Sequence, residues 1–118
     1  MSDAEQLAIF WQLMLALGCG AAVGIEREFR GHAAGVRTSA LVCTGAALFG
    51  AISASQGDTR VAAAVVSGIG FIGAGLIFGQ GGGFVRGVTT AATMWVLAGI
   101  GLMVSQGLAL VAVLVTLA

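Results

Sequence analysis

Polar and apolar positions fall along this chain in long blocks, not at the short period of a half-buried strand. Ionisable residues stand at positions 3, 5, 26–28, 30, 32, 37, 58, 60 and 86, and nowhere else. Between them run four uncharged stretches, 6–25, 38–57, 61–85 and 87–118. About 20 apolar residues, rising 1.5 Å each, cross the ~30 Å of hydrocarbon in a bilayer. The first two stretches have that length almost untrimmed. The third reaches it once the glycine-rich tail at 79–83 is given to a loop, and Ser105-Gln106-Gly107 divides the fourth. The pattern predicts spans over 6–25, 38–56, 61–79 and 88–104, with a partial fifth over 108–118. Spans of this kind must be helical, because isolated strands leave backbone groups unpaired in lipid. The expected fold is an all-α polytopic transmembrane bundle of four to five spans, its last eleven residues read as a span cut short, with an interfacial segment as the alternative.

Composition strengthens this reading. Of 118 residues, 58% are hydrophobic and 8% charged, with a mean hydropathy of +1.05. A soluble domain carries about a quarter of its residues as charges. Net charge is zero, so there is no basic footprint for nucleic acid. The N-terminus is acidic through Asp3 and Glu5, unlike the positive start of a cleavable signal peptide, so the first span is expected to be retained. Arg27, Arg30 and Arg37 lie in the first loop and Arg86 in the third, whereas the second holds only Arg60, offset by Asp58. The positive-inside rule then places the first and third loops in the cytoplasm and the N-terminus outside.

Few residues carry chemistry. Residues 68–75, GIGFIGAG, match the G-x-G-x-x-G pattern, yet no acidic residue follows Asp58 to hold a ribose, and the surroundings are membrane-length and apolar. A glycine-lined helix face fits better. Gly68 and Gly75 are two turns apart, Gly70 and Gly73 lie between them, and Gly20-x-x-x-Gly24 repeats the spacing in span one. A broken helix lining a polar cavity is the alternative. Glu26 and Arg27 end span one and Arg37 opens span two, so a Glu–Arg pair is expected to fix those helix ends against each other. Asp58 is expected to cap span three; greeting a hydrated cation is its other reading. Thr89 and Thr93 share one face of span four, with Thr90 beside them, and are expected to bond back to a carbonyl or across to a neighbour. His32 has no partners at metal spacing, and Cys19 and Cys43 read as packing residues. No hydrolase or phosphate-loop pattern occurs, so no enzyme and no cofactor are expected.

Residues 26–28, 34–38, 58–62, 66–75 and 85–95 together resemble the membrane domain of the MgtC/SapB family, in order and spacing over nearly the whole chain. The resemblance implies a bacterial inner-membrane protein linked to growth under magnesium limitation and, in pathogens, to virulence. Such proteins are viewed as modulators of membrane physiology, and restraint of the proton-driven ATP synthase is one role the resemblance brings. Many members carry a soluble cytoplasmic domain, expected to be absent here beyond Ala118.

The leading expectation is therefore a non-enzymatic membrane protein in contact with lipid, other membrane proteins and further copies of itself. Its glycine faces would make the contacts, with Arg37, Asp58 and Arg86 holding helix ends, and Gly70→Leu or Gly73→Leu would disrupt assembly. The alternative is a small oligomeric Mg²⁺ channel or transporter whose path Asp58, Thr89 and Thr93 would line. Ion transporters usually carry intramembrane ionisable residues, and the spans expected here have none.

Overall fold

A computed structural model describes residues 2–31, 35–78 and 88–117. Within them the chain is all helix: α1 (Asp3–Phe29), α2 (Val36–Gln56), α3 (Arg60–Phe78), α4 (Val88–Ser105) and α5 (Ala109–Leu117). Three of these, α1, α2 and α4, are long and apolar enough to cross a membrane. The 19 residues of α3 rise about 29 Å at 1.5 Å per residue, and the nine of α5 far less than a crossing requires. The expected loop at 79–83, together with His32 and Arg86, lies outside the described residues.

The bundle is organised around α4, which packs against each of the other four helices. Its Met94, Leu97, Ile100 and Val104 recur every three or four positions and are fully buried, forming one continuous stripe. Small residues bring the neighbouring backbones close. A Cβ on Gly20 of α1 would stand 2.7 Å from the Ser39 carbonyl oxygen and 2.8 Å from Cys43 Cβ on α2. On the α2–α4 seam, the same atom on Gly50 would collide with Ser105 Oγ, and on Gly101 with the Cys43 carbonyl. Only glycine permits such approach, which is how membrane helices gain contact without a hydrophobic drive between them. Large apolar side chains instead cover the outside, among them Trp11, Phe71 and Leu110. That inverted surface suits hydrocarbon rather than water.

Helix ends are satisfied locally. Ser2 caps α1, its hydroxyl accepting from Glu5 N–H at 3.1 Å. Gly57 closes α2 in the left-handed region (φ 65°), its N–H bonding back to Ala54. Between α2 and α3, an Asp58 carboxylate oxygen accepts from the Arg60 backbone N–H at 2.9 Å.

Two expectations change here. Helix α1 runs beyond the span expected over 6–25, from Asp3 through Phe29, with Arg27 the last of its buried residues. Nor do Glu26 and Arg37 join the two helix ends: Glu26 pairs with Arg30 at 3.5 Å, one turn along the same exposed face. The α1–α2 connection is tied instead by Glu28, whose Oε1 accepts from the Val36 N–H at 3.4 Å, at an α2 start where Gly35 has no side chain to cap with.

Candidate functional site

The buried positions of α1 are Ala16, Cys19, Gly20, Gly24 and Arg27, spaced by three or four and so on one face. Arg27 is the last of them, only 8% exposed. Its guanidinium crosses to α4, where Nη2 donates to Thr90 Oγ1 at 2.5 Å and Nη1 to Thr93 Oγ1 at 3.1 Å. Thr93 donates its own proton back to the Thr89 carbonyl at 2.8 Å, which turns its lone pairs toward the arginine. Arg27 is also the basic residue of the last turn of α1, where the negative end of the helix dipole favours a cation. The result is a charge-assisted clamp between the end of α1 and the first turns of α4.

The remaining candidate residues are dispersed. Arg37 is exposed in the first turn of α2. Asp58 and Arg60 form a close pair at 2.8 Å at the opposite end of the bundle, across the length of α3 from the arginine clamp. The Arg60 guanidinium and backbone N–H hold the Asp58 carboxyl below the ordinary carboxylate range. Of the α3 glycines, Gly73 packs on Ala91 of α4, a Cβ there standing 3.3 Å from its methyl, and a Cβ on Gly70 would stand 3.7 Å from the Trp95 ring. A Cβ on Gly68 or Gly75 would meet nothing within 4 Å among the described residues; both border a face of α3 that is open among those residues. No group of three or more metal-ligating side chains forms among the described residues.

Thr90 is the member of the clamp that a pattern of hydroxyls four apart passes over. Its signal was available in the helical period: Thr90, Met94 and Leu97 continue the buried stripe of α4 toward its N-terminus. Likewise the closest glycine contacts lie on α1, α2 and α4 rather than within the glycine-dense stretch of α3. Density of glycine in sequence is a poorer guide than its phase relative to the buried stripe.

A model described as the MgtC family matches residues 13–118. Among curated proteins, the chain is similar to Protein MgtC of Brucella abortus, 50% identical over 93 residues that cover 75% of this chain and 39% of the relative. It is similar also to Protein MgtC of Salmonella typhimurium, 48% identical over 98 residues, 80% of this chain and 42% of the relative. The chain therefore spans about two fifths of the length of the relatives it matches. No solved structure matches it.

Proposed function

The chain belongs to the MgtC family, and from that premise we propose that it is a non-enzymatic, multi-pass protein of the bacterial inner membrane. It modulates the activity of other membrane proteins, supports growth under magnesium limitation and contributes to virulence. The observation that carries this reading is the arginine clamp. Polar groups of the α1–α4 seam bond one another, Arg27 to Thr90 and Thr93 and Thr93 to Thr89, which supports a scaffold held together across that seam. The contacts with partners, including further copies of the chain, are made through the outer helix faces, where Gly68 and Gly75 offer close approach on α3.

Growth of a bacterium lacking its own family member, in medium with limiting magnesium, tests the proposal. The chain as it stands should restore growth, and Arg27→Gln should reduce that restoration at equal membrane abundance. Folded, inserted protein that restores nothing contradicts the reading.

A further inference from the structure

At the end of the bundle away from the arginine clamp, the α2–α3 turn and the end of α4 enclose an open cavity of about 490 Å³, within the usual size of small-molecule sites. Its polar lining comes mainly from residues outside the helices, Asp58 and Thr59 of the turn and Gln106 after α4; the one helical polar residue that joins them, Ser53 of α2, gives its hydroxyl proton to the Asp58 carbonyl. Its apolar lining comes from the adjoining helical turns, through Ala54, Ala62 and Leu102. Polarity therefore falls from the bundle end inward, as it does from the headgroup to the acyl region of a membrane.

We propose that this cavity holds the headgroup of an amine-bearing phospholipid, with the start of its acyl chains against Ala62 and Leu102. Charge complementarity selects this occupant. Asp58 in the lining and Arg60 outside it, its side chain exposed, present a negative and a positive group side by side, 2.8 Å apart, the counterpart of an ammonium and a phosphate on one headgroup. Arg60 spends Nε and Nη2 on Asp58, which leaves Nη1 for a phosphate oxygen. Gln106 spends its amide nitrogen on the Gly50 carbonyl at 3.1 Å, leaving its carbonyl oxygen as an acceptor for an ammonium N–H. A choline headgroup has no N–H to donate, and a glycerol headgroup brings no positive charge to Asp58. The apolar half of the cavity, at the level where helices end, suits a lipid over a free soluble amine.

The test uses the whole chain in vesicles of equal phosphatidylethanolamine, phosphatidylcholine and phosphatidylglycerol, with native mass spectrometry of the lipids retained after detergent extraction. Phosphatidylethanolamine should be retained with a preference of about two- to fivefold, the scale of an exposed charge-assisted contact. Asp58→Asn should remove the preference, and Arg60→Gln should lower retention of all three lipids, with circular dichroism confirming the helices in both. Excess soluble glycerophosphoethanolamine should leave the retained lipid in place. Equal retention of the three lipids by the wild type overturns the proposal, as does a preference that survives Asp58→Asn or displacement by the soluble headgroup.

Discussion

The Arg27 guanidinium donates to the Thr90 hydroxyl at 2.5 Å, joining the last turn of the first helix to the first turn of the fourth across 63 positions of sequence. A buried cation must be matched by acceptors, because its desolvation is costly when they are missing. The clamp supplies two hydroxyls and a helix C-terminus. Removing either side should therefore be felt by the other. In a double-mutant cycle of Arg27→Gln and Thr90→Val, the coupling in unfolding free energy should be about 1–2 kcal/mol, at the upper end of membrane hydrogen bonds. Additive single effects would show that the contact does not hold the helices.

Backbone crossings should be the least forgiving positions. A Cβ at Gly24 would lie 2.5 Å from Val36 Cα, and backbone cannot yield as a side chain does. Gly24→Ala and Gly20→Ala should each lower stability by about 1–3 kcal/mol, the cost of overpacking. Gly68→Ala and Gly75→Ala, which meet open space, should leave the folded chain within about 0.5 kcal/mol of wild type. Denaturation of the four variants in one detergent gives the comparison, and equal losses at all four sites would refute the assignment of the crossing.

Bulkier changes on α3 should separate folding from association. Gly73→Leu should weaken the seam with Ala91 inside the chain, whereas Gly68→Leu should leave the fold intact and reduce cross-linking between copies. Cross-linking in native membranes, alongside unfolding of each variant, reads both effects. Unchanged cross-linking in Gly68→Leu would place contact between copies elsewhere.

Asp58 gives the α2–α3 turn a pH dependence with a definite sign. Its carboxyl is held low first by the Arg60 side chain and then by the Arg60 backbone N–H. A group depressed on folding contributes stability above its unfolded value, near 3.9 for Asp, and that contribution is lost as pH falls through the folded value. The difference in melting temperature between wild type and Asp58→Asn should be constant through neutral pH and shrink in acid below about pH 4. A difference that grows in acid would reverse the sign and exclude the pairing as its cause.

Much of the architecture is legible in the order of residues, and the reasons are physical. Charge exclusion from hydrocarbon marks the spans, so α2, α3 and α4 begin or end within a few residues of Val36, Gln56, Arg60, Val88 and Ser105 as the uncharged stretches predict. The same rule does not reveal that α1 carries on through Phe29 with Arg27 buried against α4. Its partners lie more than 60 positions away, and no local pattern announces which helix will face it. Glu28 is similar: a carboxylate among loop charges reads as solvated until the uncapped start of α2 is seen beside it. Glycine packing was legible as a tendency but not as a location, since which face a glycine occupies depends on neighbours the chain order does not name.

In the proposed function this protein acts on other membrane proteins and does not itself carry ions. Magnesium flux into liposomes containing the purified, correctly inserted chain tests it most directly, with empty liposomes and an Asp58→Asn, Thr93→Val variant beside it. Flux should be no greater than in empty liposomes for both proteins. Flux above that level, abolished in the double variant, would contradict the proposed function and make those residues part of a conducting path.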